Sequence, residues 1–234
     1  MTTPYRLHYA PDNASLIVRL ALEELGAPYE TVLLDRTTGG QRRPDYLRLN
    51  PHGLIPTLET PNGPIFETAA ILLWLADTNG ALAPAPHAAE RGDFLKWLFF
   101  TSNTLHSNLR MLFYPEKYAG PDLAHQATLR ATMQGAIKTH LGALESLAAA
   151  QSPVFNTIPI SMLDLYIPVL LRWMALYHKG GTDWFDLVKT PHLAEHAARI
   201  EHRVAVKRGT DAEGLGRTPF SNPTVAIPPE GSAT

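Results

Sequence analysis

Cysteine is absent from all 234 residues. That absence excludes a disulfide framework, a Cys-ligated zinc or iron–sulfur centre, and a catalytic thiol supplied by the protein. Any thiol chemistry must arrive with a ligand. Long apolar runs are missing too: none approaches the ~18 residues of a membrane span. The richest apolar stretch, 158–177, is interrupted by Asp164 and follows the spacing of a buried soluble helix. Charge of one sign is not in excess, since 20 basic and 22 acidic residues give a net charge of −2. Nucleic acid or an anionic membrane as partner would call for a basic excess or stripe. The opening segment MTTPYRLHYAPDN has no basic start leading into an apolar stretch, so no secretory leader is expected and a cytoplasmic location is.

What is present is ordinary for a globular protein: 45% hydrophobic and 18% charged residues, over a length that suits one large domain or two small ones. The first eighty residues alternate short strand-like and helical segments. YRLHY (Tyr5–Tyr9) alternates as a strand. Asp12 and Asn13 are good N-cap residues for the helix LIVRLALEEL, which stops at Gly26. YETVLL (Tyr29–Leu34) reads as a second strand, and a polar loop leads to a short helical stretch over Pro44–Leu49. PTLE and PIF flank the turn Pro61-Asn62-Gly63 and predict a hairpin. A helix then runs from Glu67 to Asn79-Gly80.

From Ala88 onward strand signals stop and helical periodicity takes over. Phe94, Leu98, Thr101, Leu105, Leu109 and Leu112 form one apolar stripe, ended by Pro115. Met133, Ile137, Leu141, Leu144 and Ala148 form a second. Leu163, Tyr166, Ile167, Leu170, Leu171 and Met174 form a third, with Pro168 expected to kink the axis or free a carbonyl. A last helix is expected over His192–Val206. The composition shift and Pro84 and Pro86 divide the chain into an α/β part (1–80), an all-helical part (88–206) and an irregular Pro/Gly-rich tail (207–234).

Two segments carry candidate chemistry. In NPHGLIP (Asn50–Pro56), Pro56 opens a strand although it cannot donate to a ladder. A cis Ile55–Pro56 bond would turn the Ile55 N–H and C=O toward a peptide-like ligand; a trans proline at a sheet edge is the plainer alternative. Glu67-Thr68 opens a helix directly after a strand. Backbone N–H groups there suit a carboxylate, and Glu67 beside them suits an ammonium, so the pair fits an amino-acid zwitterion; simple capping is the alternative. His192-Leu-Ala-Glu195-His196 matches an inverted zinc-protease pattern, but without a third ligand it is set aside and no metal is expected. Asn13-Ala-Ser15 is a glycosylation pattern without a secretory context.

The segments LHYAPDNASLIVRLALEELG, NPHGLIPTL, FETAAILLWLAD, TLHSNLRMLFYPEKY and ISMLDLYIPVLLRW together cover most of residues 5–178. Their combination resembles the cytosolic glutathione S-transferases, closest to the bacterial beta-like branch. The resemblance implies an N-terminal thioredoxin-like α/β domain, an all-α C-terminal domain and a homodimer. Glutathione would be the co-substrate and a small hydrophobic electrophile the second substrate. It implies that Ile55, ahead of cis Pro56, bonds the cysteinyl backbone of glutathione, and that Glu67 and Thr68 hold its γ-glutamyl end. His52 stands where a Lys is common, leaving Arg36 or Arg42 as other anchors for the glycine carboxylate. Ser161 and Asp164 match the family's capping box, a structural device. His106 matches a position facing the active site, and His106, Arg110, Phe113, Tyr166 and Trp173 are expected to line the second-substrate pocket.

The branch's Cys, which follows Pro-Gly-Ala, is Ala14 here. Lowering a thiol from about 8.5 toward neutral takes about 1.36 kcal/mol per unit, near the strength of one good donor to an anion. Ser15, the Asn13 amide or Tyr9 could donate to a glutathione thiolate, with Ser15 favoured over Tyr9. A non-catalytic glutathione-binding or scaffold member is the competing reading, supported by Ala14 and opposed by the retained ligand anchors.

Overall fold

The structure is a computed structural model that describes residues 4–155, 159–177 and 181–233. Its N-terminal part runs β1 (Tyr5–Tyr9), α1 (Ser15–Leu25), β2 (Tyr29–Leu33), a 3-10 turn at Gly40–Arg42, α2 (Pro44–Leu47), β3 (Thr57–Thr60), β4 (Gly63–Phe66) and α3 (Thr68–Asn79). The four-stranded sheet has the order β2-β1-β3-β4. β1 pairs in parallel with β2 (Tyr5 opposite Tyr29) and antiparallel with β3 (Leu7 opposite Leu58), and β3 pairs antiparallel with β4 (Leu58 opposite Ile65). The alternation of segments predicts this βαβ unit followed by a hairpin, and it is the thioredoxin-like arrangement that the resemblance implies.

α1 is buried along most of its length because it has two partners. Val18 and Leu22 pack on Leu7 and Leu58 of the sheet, whereas Leu16, Ile17, Leu20 and Ala21 join the core of the helical part. That second part contains α4 (Arg91–Phe99), a π-helical segment Phe100–His106, α5 (Ser107–Phe113), α6 (Glu116–Ala119), α7 (Leu123–Ala149), α8 (Met162–Leu176), α9 (Pro191–Glu201) and α10 (Val204–Glu213). The three apolar stripes lie in the core, with Met133 only partly buried. α8 continues from Met162 to Leu176 through Pro168, opened by the expected Ser161–Asp164 capping box. Residues 156–158 of the loop before that box lie outside the described residues.

Two expectations are corrected. The single last helix over His192–Val206 is two helices, α9 and α10, and the second continues past Lys207 to Glu213, so the irregular tail begins at Gly214. α10 is held by a close approach to α1: a Cβ at Gly209 would stand 2.7 Å from Leu20 Cδ2. The glycine that reads as tail in the sequence is there for packing. Nor does Asp12 cap α1. Ala14 is the N-cap residue, with no side-chain bond to the helix start, and Asp12 sits in the left-handed region at φ 50° with its carboxylate directed elsewhere.

Among the described residues no helix is long and apolar enough to cross a membrane.

Candidate functional site

The loop from β1 into α1 and the start of α3 come together because both helices follow strands of one sheet. The loop ahead of β3 is fixed from behind. The Asn50 amide donates to the Leu54 carbonyl at 2.9 Å, and the Tyr46 hydroxyl, buried under the sheet, donates to the same carbonyl and meets Thr57 Oγ1 at 2.9 Å. The Ile55–Pro56 peptide that follows is cis. At the end of β4, Glu67 has φ 72°, a region non-glycine residues rarely adopt. Its side chain makes no cap bond to α3, so simple capping does not account for it. Thr68 is buried at the first turn. An exposed carboxylate beside an uncapped helix start is thus presented at one place, the charge pattern that complements a zwitterion.

The three candidate thiol donors are placed very differently. Ser15 is fully buried, and its hydroxyl donates to the Ala10 carbonyl at 3.0 Å while accepting the Ala10 N–H at 3.3 Å. The expectation that favoured Ser15 does not fit this geometry, because its oxygen faces its own backbone. Tyr9 is 2% exposed and donates to the Glu230 carboxylate in the tail, with the Arg19 guanidinium 4.7 Å from its ring centroid. Burial first, then the bond to Glu230, pushes its pKa above the usual phenol range. Asn13 is the exception. Its Oδ1 accepts the Ala14 N–H at 2.8 Å, and its amide N–H groups have no partner among the described residues. The anchored oxygen leaves the free donor just ahead of the N-cap of α1.

Asp12, which precedes it, is the hub of a buried network that sequence reading missed. Arg172 of α8 donates to its carboxylate through Nε (2.9 Å) and Nη2 (2.7 Å), Trp173 Nε1 through a 3.0 Å bond, and Tyr177 through its hydroxyl. The Asp12 N–H donates to Glu213 Oε2 at 2.7 Å, and Glu213 Oε1 accepts from Arg19 at the same distance. Burial raises Glu213 to about 7, opposed by the Arg19 charge. The signal available in the sequence was Asp12 itself, which stands where the beta-like pattern Pro-Gly-Ala-Cys has glycine: a left-handed residue that is not glycine needs outside support.

The opposite wall is the end of the π-helical segment and α5. His106 Nδ1 lies 2.7 Å from the Tyr166 hydroxyl, and its ring is tilted against Trp173 at 5.4 Å. Burial, then the Arg110 charge, pushes His106 down to about 4; burial, then the Glu67 charge, pushes Tyr166 up. With the phenol protonated, Nδ1 is the acceptor and Nε2 carries the imidazole proton. Tyr166 (1% exposed) and Trp173 (5%) were expected as pocket lining, but they stand behind His106 as its supports. Arg110 and Phe113 are partly buried. His52 is exposed, with its ring edge-on to Phe66 at 5.6 Å; Arg42 is exposed; and Arg36 Nη2 donates to the Tyr114 hydroxyl at 3.0 Å. His196, from the pattern set aside, is buried against Phe155 with Nε2 3.6 Å from Asp164.

Comparison with known proteins agrees with the fold. Residues 14–78 match the family model described as the glutathione S-transferase N-terminal domain. Glutathione S-transferase GST-4.5 of Xanthomonas campestris pv. campestris is 30% identical over 218 residues, covering 90% of this chain and 99% of that protein. A sphingomonad glutathione S-transferase solved in complex with glutathione is 33% identical with a TM-score of 0.74, covering 90% of this chain and 100% of the other. The beta-class enzyme of Sphingomonas chungbukensis is 29% identical with a TM-score of 0.73, with the same coverage.

Proposed function

Because the chain belongs to the glutathione S-transferase family, we propose that it binds glutathione against α1, β3 and α3 and activates its thiol for attack on an electrophile. Residues 1–80 are the glutathione-binding domain and 88–213 the helical one in this reading, working in the cytoplasm as a homodimer. The observation that carries it is the Glu67-Thr68 corner, where a carboxylate with no ion-pair partner among the described residues adjoins an uncapped helix start. Glu67 takes the γ-glutamyl ammonium, and the first N–H groups of α3 with Thr68 take its carboxylate. Ile55 offers its main-chain N–H and C=O to the cysteinyl unit, and Pro56 shapes that turn. His52 lies along the loop toward the glycine end.

The thiol then lies over the start of α1. The Asn13 amide donates to sulfur, and the positive end of α1 adds to the same effect, both favouring thiolate over thiol. The thiolate attacks carbon, the C–S bond forms, and the leaving group departs with its electron pair; in an addition, the carbanion takes a proton from solvent instead. His106 presents a neutral Nε2–H as a hydrogen-bond donor to negative charge developing on the electrophile. It is a poor proton donor, because burial keeps it uncharged near neutrality. The absence of cysteine supports conjugation-type chemistry on the glutathione sulfur over mixed disulfides with the protein.

Calorimetric titration with glutathione tests this reading. The wild-type chain binds, and Glu67→Gln weakens binding about tenfold or more through loss of a charge-assisted contact. No binding to the wild-type chain would overturn it. Binding with no depression of the thiol pKa would favour the non-catalytic alternative.

A further inference from the structure

His106, Arg110 and Tyr114 follow one another at intervals of four residues through the end of the π-helical segment and α5, which places them along one face. Arg110 is close enough to His106 for its charge to disfavour the imidazolium. One turn further on, the Tyr114 hydroxyl receives Arg36 Nη2 at 3.0 Å from the loop after β2, and Lys117 Nζ lies 4.2 Å from the Tyr114 ring centroid. Cations therefore converge on this face from three segments, the loop after β2, α5 and α6.

Among the described residues no carboxylate lies within 4.0 Å of Arg36, Arg110 or Lys117, whereas Arg91 and Arg203 pair with Asp77 and Glu24. Asp35, adjacent to Arg36 in sequence, accepts the Thr37 N–H at 2.9 Å and its hydroxyl at 2.6 Å. Among the described residues the one other side-chain hydrogen bond of Arg36 is to the Ala233 carbonyl, at 3.4 Å. Arg110 makes no side-chain hydrogen bond among the described residues, although it is partly buried. A partly desolvated guanidinium without an anion is an unfavourable arrangement that a carboxylate ligand relieves, and its planar fork matches that group.

Resting on the glutathione reading above, we propose that this face selects the second substrate: the electrophile carries a carboxylate, which Arg110 binds, with Arg36 and Lys117 adding to the field. The pocket that the resemblance assigns to a small hydrophobic electrophile is one for an acidic aromatic or unsaturated compound. Its apolar part lies against Phe113, its reacting carbon near the sulfur, and its charged end toward Tyr114. His106 adds no positive charge near neutrality, so the selectivity belongs to the arginine.

Product analogues test this without requiring turnover. Calorimetry would compare S-benzylglutathione with its para-carboxybenzyl and para-carboxamidobenzyl counterparts on the full chain. The carboxylate is expected to bind about tenfold or more tightly than the matched carboxamide. Arg110→Gln should collapse that ratio toward unity, and Arg110→Lys should retain part of it, which separates lost charge from a disturbed fold. Equal binding of acid and amide by the wild-type chain overturns the inference while leaving glutathione binding intact. So does an Arg110→Gln variant that weakens all three ligands alike, since the arginine would then serve glutathione's own glycine end. If neither glutathione nor any analogue binds, the underlying reading fails and this inference falls with it.

Discussion

Arg172 in α8 holds the carboxylate of Asp12, in the loop between β1 and α1, at 2.7 Å and 2.9 Å, and both side chains are wholly buried. The same guanidinium donates to the carbonyls of Pro219 (3.0 Å) and Thr224 (2.9 Å), so one side chain ties the start of α1 to the C-terminal segment. Asn13 inherits its position from this contact. A buried charge pair of this kind adds little net stability over an apolar pair, but it makes each partner dependent on the other.

Arg172→Met should therefore cost about 3–5 kcal/mol in urea denaturation, because it leaves the Asp12 carboxylate buried without its partner. Adding Asp12→Gly should restore most of that loss. Glycine adopts φ 50° without a Cβ penalty, and the orphaned charge is gone. A single-variant cost below about 1 kcal/mol, or a double variant no better than Arg172→Met, would contradict this coupling.

His106 should stay neutral well below the usual imidazole range. Its folded pKa, about 4, lies below the ~6.5 of an unfolded chain, so its contribution to stability is complete above ~6.5 and is lost as pH falls toward 4. Ring-proton NMR shifts of His106 should accordingly be flat from neutrality to about pH 5. A midpoint near 6.5 would remove the tautomer assignment. Tyr166→Phe deletes the hydroxyl that meets Nδ1 and should change which ring nitrogen is protonated, readable in nitrogen-15 shifts.

The capping box of α8 predicts an ordered pair of effects. Ser161 Oγ accepts the Asp164 N–H at 3.4 Å, and Asp164 Oδ2 accepts the Ser161 N–H at 2.7 Å. Ser161→Ala should cost about 1 kcal/mol, as for other N-cap hydroxyls. Asp164→Ala should cost more, since Asp164 also faces the buried His196, whose pKa burial lowers. Thermal melts in which Ser161→Ala is the worse variant would contradict that order.

Much of the fold was legible because it follows from periodicity and punctuation. Gly26 and Gly80 end α1 and α3 in the left-handed region, and the three apolar stripes mark faces that are buried. The cis Ile55-Pro56 turn and the helix start at Glu67-Thr68 were legible as well, since both are local patterns. The choice of thiol donor was not. Adjacency to Ala14 suggested Ser15, but a hydroxyl one residue into a helix can turn back onto its own loop, and here Ala10 takes it. Tyr9 was equally ambiguous, because the residue that engages it, Glu230, is 221 positions away. The support of Asp12 by Arg172, Tyr177 and Glu213 joins positions with no shared periodicity, and α10 was missed because Lys207-Arg208-Gly209 reads as a polar loop until Leu20 is placed against the glycine.

The most direct test of the account is the pKa of the glutathione thiol in the bound state, followed by ultraviolet absorbance of the thiolate across pH. The wild-type chain should lower it from about 8.5 toward neutrality. Asn13→Ala should return it upward by about one unit, the value of one hydrogen bond to an anion, whereas Tyr9→Phe should leave it where it was. A bound thiol titrating like free glutathione, or one whose pKa responds to Tyr9 and not to Asn13, would contradict the account.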